Sequence, residues 1–354
     1  MSTINPRHPD ILLISRCPPW PIHHGDRLIP YNLARQLSRR GYQIDLLAYY
    51  QHPQDQADVP YYERYFKTVT LIREPIRTPL SLLLRSVSQR RRFPRRKSQS
   101  WSPEMWEAIE ERVQHRRIYD VVHLFGGIHV YEFRELLRRY PTVIAPYESY
   151  SLYLERALTQ ARTARERLII RLQLEMARHY ESWMYVGYRR TVVVSDKDAD
   201  MLRHLSPGLP VDVIPNGVDL EKFVPGEGET DSPTLIFTGN FEYHPNLDAA
   251  WCLVRQIFPA VRRAIPEAEL LIVGNNPPPD LRAVKTPGVQ VTGRVPDLRP
   301  YLDSAMVYVS PLRMGAGIKN KILEAMAMQL PVVATPLSCD GIDAMPGKDV
   351  ILAR

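Results

Sequence analysis

The segment 313–336, RMGAGIKNKILEAMAMQLPVVATP, constrains the fold more than any other part of the sequence. It follows an apolar run, MVYVS at 306–310, of the kind that forms a buried strand. Its own residues predict a glycine-bearing loop, then a helix, then a short β-branched strand. Together these form a βαβ unit, whose loop lies where anions bind because the first N–H groups of the helix point toward it. An ordinary connection between a strand and a helix would leave a similar pattern, since isolated glycines are weak evidence.

Strand-sized apolar runs alternate with helix-like segments along the rest of the chain. Alternation of this kind predicts parallel sheets covered by helices. We therefore expect an α/β protein with two doubly wound, Rossmann-like domains that face each other across a cleft. The predicted strands lie at 11–15, 44–49, 69–72, 120–125, 142–145, 191–195, 211–214, 234–238, 269–273, 289–291 and 306–310.

A polar, glycine-rich stretch divides the 354 residues into two parts of ordinary domain size. Residues 225–233, PGEGETDSP, contain no large apolar side chain, which is typical of a linker. We expect an N-terminal domain over 1–224, a linker over 225–233 and a C-terminal domain over 234–354.

The charge and cysteine content limit the partners and the compartment. A net charge of +7 favours an anionic partner, such as a nucleotide phosphate, a lipid headgroup or nucleic acid. Cys17, Cys252 and Cys339 are far apart and odd in number, which argues against a disulfide framework and a zinc site. The N-terminal residues lack the apolar core of a signal peptide, and no run reaches the roughly 18 apolar residues of a membrane span. These features predict a cytoplasmic protein.

Seven basic residues lie between Arg85 and Lys97, directly after a small leucine cluster. One interpretation is a solvated loop. The other is a patch that contacts anionic lipid, to which each cation would contribute roughly 1 kcal/mol near the surface. Nucleic acid is not an expected partner because no RNP, zinc-finger or helix-turn-helix signature is present.

Several polar or small residues follow predicted strands in the first half, where ligands of open α/β sheets bind. They are Gly126, Gly127, His129 and Glu148. An ordinary structural role is open for each of them. The first predicted βαβ unit lacks the GxGxxG dinucleotide motif and offers only Gly25.

Four segments, taken in this order, resemble the group 1 (family four) retaining glycosyltransferases of the GT-B fold. They are VIPNGVDLEKF at 213–223, a strand ending in Thr238-Gly239, LLIVG at 270–274 and LEAMAMQLPVVAT at 323–335. The resemblance covers nearly the whole chain, is looser in the N-terminal half, and is nearest to sugar transferases of exopolysaccharide clusters.

The resemblance implies that the N-terminal domain binds the acceptor and that the C-terminal domain binds the nucleotide-sugar donor, with the donor site around the segment 313–336. The family carries two glutamates separated by seven residues, and Glu324 matches the second, which hydrogen-bonds the ribose of the donor. The first position is Ala316 here, so the neighbouring N–H groups of Gly315 and Gly317 are expected to replace it.

Two family cations that bind the diphosphate are also replaced, by Asn240 and Pro245. A leaving nucleoside diphosphate still needs positive charge. The resemblance therefore implies a diphosphate site built from Arg313, Lys319 and Lys321. Arginine suits bidentate phosphate contact, whereas lysine acts as a point charge. We rank Arg313 and Lys321 above Lys319.

The same resemblance assigns further residues. The nucleotide base is expected near Arg294, and Gly25 matches the second glycine of a phosphate-contacting pair. The family histidine position is Phe125, so His129 is the expected substitute, with Glu148 as the second catalytic candidate.

The implied activity is transfer of a sugar from a nucleotide sugar to a glycan or lipid-linked acceptor with retention of anomeric configuration. No metal and no cofactor are expected, and the enzyme could sit peripherally on the inner face of the membrane. The alternatives are a sugar-nucleotide epimerase and a non-catalytic GT-B relative that binds anions or a membrane surface. Family members usually continue past a segment such as GKDVILAR with a helix pair, so we expect the C-terminal domain to be incomplete.

Overall fold

A computed structural model of the protein describes residues 9–22, 25–76, 78, 93–115, 119–161, 163–226, 232–315 and 317–353. The chain divides into two compact units. Unit 1 comprises Met1–Ser151 and Glu175–Ile214, and unit 2 comprises Leu152–Leu174 and Pro215–Arg354. This division differs from the sequence-based one, because it assigns 152–174 to the second unit and places the later change at 214 rather than at 225–233.

Unit 1 contains a sheet of seven parallel strands in the order β3-β2-β1-β4-β5-β6-β7. The strands have continuous apolar sequences because helices cover both faces of such a sheet. Alternate residues point to opposite faces, so Leu12 and Ile14 pack in one core while Leu13 packs in the other. The strands are β1 (Asp10–Ser15), β2 (Gln43–Tyr50), β3 (Thr68–Arg73), β4 (Val121–Phe125), β5 (Thr142–Tyr147), β6 (Arg190–Val193) and β7 (Val211–Val213).

The helices of the first 214 residues follow the predicted alternation. The first helix begins at Gly25, and the longest begins at Ala164. Ser195 caps the last of them by accepting from the Asp198 N–H. They are α1 (Gly25–Arg39), α2 (Pro53–Ala57), α3 (Pro103–His115), α4 (Ile128–Tyr131), α5 (Tyr150–Gln160), α6 (Ala164–Met184) and α7 (Asp196–Leu205).

Unit 2 contains a second parallel sheet, of six strands in the order β10-β9-β8-β11-β12-β13. Its strands are β8 (Thr234–Thr238), β9 (Glu269–Val273), β10 (Val289–Gly293), β11 (Val307–Ser310), β12 (Val332–Ala334) and β13 (Ile351–Leu352). Its further helices are α8 (His244–Cys252), α9 (Phe258–Ala264), α10 (Pro279–Arg282), α11 (Arg299–Asp303) and α12 (Asn320–Ala327). A π-helical turn, Leu253–Ile257, separates α8 from α9 just before Pro259, which lacks the N–H that a regular helix needs.

The strand order of unit 2 reverses between β8 and β11. From β8 the chain proceeds to one edge of the sheet through β9 and β10, and from β11 it proceeds to the other edge. Ligands of open parallel sheets bind outside the carboxyl ends of the strands at such a switch point. The loops that follow β8 and β11 therefore define the candidate site, and the second of them is the glycine loop of the predicted βαβ unit.

Within the described residues, no helix has both the length and the apolar character needed to cross a membrane.

Candidate functional site

Two backbone segments meet closely at the switch point, and only a glycine allows their contact. Gly274, which follows β9, has a φ of +148°, and a Cβ atom there would lie 1.8 Å from the Gly239 carbonyl oxygen. Asn275 N–H donates to that same carbonyl over 3.1 Å. The loop after β8 is therefore fixed against the end of β9, which sets the position of the next residue, Asn240.

The loop after β11 leaves the N-terminus of α12 open. Gly315 and Gly317 have φ values of +120° and +65°, which L side chains rarely adopt. Lys319 occupies the N-cap position of α12, and its own side chain makes no capping hydrogen bond. The first N–H groups of this helix and its dipole therefore favour an anion at this end. The side chain of Asn320, in the first turn of α12, accepts a 2.9 Å hydrogen bond from the side chain of Asn216, in the segment VIPNGVDLEKF.

Lys321 is held at the site by a short polar chain. Its Nζ donates to Asn246 Oδ1 over 2.5 Å, and Asn246 Nδ2 donates to the Asn240 carbonyl over 2.8 Å. The ammonium also lies 4.5 Å from the centroid of the Phe237 ring. Burial, followed by the positive charge of Lys319, lowers the pKa of Lys321 to about 7. Its charge state therefore changes near neutral pH.

The Lys319 side chain binds the backbone of the glycine loop. It is 7% exposed, and its ammonium donates to the Gly317 carbonyl over 2.6 Å. This contact closes the glycine loop onto the N-cap residue of α12.

Glu324 lies one turn into α12, on the same helix as Lys321. Burial raises the pKa of its carboxyl group, while the charges of Lys222 and Lys321 act in the opposite direction. Among the residues that the structure describes, none donates a hydrogen bond to this carboxylate. A desolvated carboxylate that has no donor among the described residues is suited to accept hydrogen bonds from ligand hydroxyl groups.

Arg313 has a partner that the sequence did not reveal. Its Nε and Nη2 donate to the two carboxylate oxygens of Asp248, on α8, over 2.9 and 2.5 Å. The bidentate bond to Asp248 raises the pKa of Arg313. The predicted ranking of Arg313 above Lys319 as a phosphate ligand stays a prediction, and the structure gives its guanidinium a competing carboxylate.

The remaining predicted residues of unit 2 have different positions. Asn240 contributes its carbonyl to the Lys321 chain, and its side-chain oxygen accepts from the Glu242 N–H over 3.2 Å. Arg294 is exposed directly after β10, which is separated from β8 by β9. Ala316 lies outside the described residues.

In unit 1, the predicted residues occupy the carboxyl ends of the strands. His129 Nδ1 lies 2.8 Å from Glu74 Oε1, so a carboxylate orients this imidazole. Glu148 follows β5, and its N–H donates to the Pro146 carbonyl over 3.0 Å. Gly25 is the first residue of α1.

The glycine pair after β4 also has the conformation that such a turn requires. Gly126 and Gly127 have φ values of +100° and +79°, and a Cβ on Gly126 would lie 2.7 Å from Arg16 Cβ. Most of the basic segment between Arg85 and Lys97 lies outside the described residues, but Arg95, Arg96 and Lys97 are exposed.

Sequence reasoning missed Asn246, Asp248 and Lys222. Asn246 and Asp248 lie on one turn of α8 and contact residues 75 and 65 positions later in the chain. No local pattern in the sequence marks such partners. Within the described part of the chain, no group of three or more His, Cys, Asp or Glu residues has an arrangement that could hold a metal ion.

Two family models together match most of the chain. The model described as Glycosyltransferase Family 4 matches residues 30–222, more than half of the protein, and the one described as Glycosyl transferases group 1 matches residues 232–354. The chain belongs to glycosyltransferase family 4. The family predicted from the sequence is confirmed, and the protein is a glycosyltransferase.

Solved structures share the fold at low sequence identity. Sucrose-phosphate synthase from Thermosynechococcus elongatus has a TM-score of 0.67 and 21% identity, over 94% of this chain and 82% of that one. The pneumococcal O-GlcNAc transferase GtfA, in complex with UDP and GlcNAc, has a TM-score of 0.63 and 10% identity, over 98% and 88%. Anabaena HepE, in complex with UDP and glucose, has a TM-score of 0.57 and 14% identity, over 94% and 82%. The predicted α/β class and GT-B fold are confirmed.

One relative from Klebsiella pneumoniae is similar over nearly the full length of the chain. It is described as an uncharacterized 44.6 kDa protein in the cps region. It is 20% identical over 364 residues, which cover 97% of this chain and 87% of the relative.

Proposed function

We propose that this glycosyltransferase takes a sugar from a nucleotide-sugar donor that binds in unit 2, and transfers it to a glycan or lipid-linked acceptor with retention of anomeric configuration. The observation that carries the proposal is the Glu324 carboxylate, which accepts no hydrogen bond from the described residues and shares α12 with the Lys321 ammonium. Structures of HepE with UDP-glucose and of GtfA with UDP and GlcNAc support a nucleotide sugar as the donor.

The residues of the loop and of α12 contact different parts of the donor. The N–H groups at the start of α12 and the Lys321 ammonium face the diphosphate, and Glu324 accepts hydrogen bonds from the ribose hydroxyls. As the glycosidic bond to the diphosphate breaks, negative charge grows on the leaving oxygen. Groups already aimed at that charge lower the barrier without reorganising. We propose that Lys319 and Lys321 supply this positive charge and that the reaction needs no metal ion.

We also propose a class of acceptor and the residues that act on it. The description of the Klebsiella relative, in the cps region, favours a polysaccharide or its lipid-linked precursor as the acceptor. In unit 1, His129 and Glu148 are the proposed catalytic side chains. If the acceptor is membrane-bound, the seven basic residues between Arg85 and Lys97 would contact anionic lipid at the membrane surface.

A donor panel tests the proposed function. The protein is incubated with UDP-, GDP- and ADP-sugars, and transfer to glycan and lipid-linked acceptors is followed by mass spectrometry. We expect transfer from at least one donor, unchanged by EDTA, to give a product whose anomeric configuration matches the donor in its NMR coupling constant. Absence of both binding and transfer with every donor would refute the proposal, whereas an inverted product would refute retention alone.

The membrane contact is tested separately by co-sedimentation with vesicles of anionic and of neutral phospholipid. We expect binding to anionic vesicles that weakens with salt and with neutralisation of the seven cations. Equal binding to neutral vesicles would contradict a charge-based contact.

A further inference from the structure

One turn of α5 lies against the glycine loop of the donor site. Residues 152–174 belong to unit 2, so this turn and the loop are parts of the same compact unit. Arg156 Nη1 donates to the Gly315 carbonyl over 2.8 Å, and Arg156 Nη2 pairs with Asp340 Oδ2 over 2.5 Å. The Arg156 and Asp340 side chains are only 16% and 8% exposed. The guanidinium therefore joins α5 to the loops that follow β11 and β12.

A second contact comes from the same face of α5. Tyr153 precedes Arg156 by three residues, so both side chains lie on one side of the helix. Its ring is stacked on Tyr243, in the loop after β8, with 6.3 Å between centroids and 29° between planes. The Tyr243 hydroxyl lies 3.3 Å from the position that a Cβ on Gly315 would occupy. Gly315 is thus bounded by Tyr243 on one side and bonded through its carbonyl to Arg156.

We propose that Arg156 is a positioning residue for the donor: it fixes the Gly315 carbonyl so that the following N–H groups and the start of α12 face the diphosphate. This inference rests on the proposed function, since it presumes that the donor binds at this loop. Two glycines with positive φ make the loop conformationally permissive, and an ordered loop must lose that freedom. A guanidinium suits the task because its rigid fork can hold a carbonyl and a carboxylate together, whereas lysine offers a single charged point.

The loop contacts the diphosphate both before and during the reaction. Loss of its support should therefore weaken ground-state and transition-state binding alike, which raises KM for the donor and leaves kcat unchanged. A residue needed only for folding would lower the amount of active enzyme instead, without changing KM. The KM-against-kcat pattern thus separates the two roles.

The experiment compares Arg156→Ala, Arg156→Lys and Asp340→Asn with the wild type. Arg203→Ala is the matched control, because Arg203 also joins a backbone carbonyl, of Val211 over 3.0 Å, to an aspartate, Asp200 over 3.5 Å, but does so in unit 1. Each variant is assayed for donor KM and kcat, for affinity toward UDP, GDP and ADP by calorimetry, and for amide hydrogen exchange of 313–319 in the free protein.

We expect Arg156→Ala to weaken donor and nucleotide binding about tenfold, the effect of losing one or two charge-assisted hydrogen bonds. Exchange of the loop amides should accelerate, Arg156→Lys should recover part of the affinity, and Arg203→Ala should match the wild type. Unchanged loop exchange in Arg156→Ala, or a KM equal to that of the control, would overturn the inference. If the wild type binds no nucleotide, the proposed function fails, while the exchange measurement still decides whether Arg156 orders the loop.

Discussion

Protonation of Lys321 should be linked to donor binding, and the perturbation that shows it is pH. Burial and the charge of Lys319 lower the pKa of this ammonium to about 7. A bound diphosphate places negative charge beside the same group, which favours its protonated form and raises its pKa. Binding should therefore draw a proton from solution whenever the free protein holds Lys321 in its neutral form.

The size of the effect follows from the pKa of the free protein. With a pKa of about 7, about a tenth of the free molecules carry the Lys321 charge at pH 8. If the complex holds the proton throughout, binding at pH 8 takes up about 0.9 proton, and affinity falls about tenfold for each pH unit above 7. Below pH 6 the affinity should be independent of this group.

Isothermal titration calorimetry measures the proton directly, from the dependence of the binding enthalpy on the ionisation enthalpy of the buffer. The ligand should be the nucleotide sugar, because a free terminal phosphate has a pKa of about 6 and would itself exchange protons on binding. Lys321→Met keeps most of the side-chain bulk and should bind more weakly, with no proton uptake at pH 8. Uptake near zero in the wild type, or the same uptake in Lys321→Met, would refute the assignment of Lys321 to the diphosphate.

The remaining predictions concern other residues of unit 2. Glu324→Gln should raise donor KM at least about tenfold, from lost hydrogen bonds to a charged acceptor, an effect that unchanged kinetics would contradict. Because burial raises the pKa of Glu324, its contribution to stability falls as pH rises through that pKa, so the variant should melt no lower than the wild type at pH 8. Gly274→Ala should cost on the order of 3 kcal/mol in urea unfolding, since its Cβ would meet the Gly239 carbonyl, and a cost below about 1 kcal/mol would show that the backbone yields. A double-mutant cycle on Arg313 and Asp248 should give a coupling of about 1 kcal/mol, and a value near zero would mean that the pair is open in solution.

The strands at the centres of the two sheets could be predicted because burial on both faces requires continuous apolar sequence. The prediction for β8, at 234–238, matches its observed bounds, and that for β11 differs by one residue. The glycine loop and α12 were also recognisable, since glycine at positive φ and an apolar helix face leave local patterns. The start of α1 at Gly25 could not be predicted, because glycine is a residue typical of loops.

The partners of the charged residues could not be predicted. Arg313 was ranked by its side-chain chemistry, but whether it meets a phosphate depends also on Asp248, which lies 65 residues away. The bond from Arg156 to Gly315 spans 159 residues. The lowered pKa of Lys321 arises from burial, which exists only in the folded chain. Sequence reveals which groups can act, and the fold decides which of them are already engaged.

The proposed function requires that the donor bind at the glycine loop and α12 of unit 2. Hydrogen–deuterium exchange with and without the active nucleotide sugar tests it directly, because every amide reports at once. We predict that protection appears in peptides covering 239–246 and 313–324 and is lost in Glu324→Gln at the same donor concentration. Protection that avoids both segments, or that persists unchanged in Glu324→Gln, would contradict this location of the donor site.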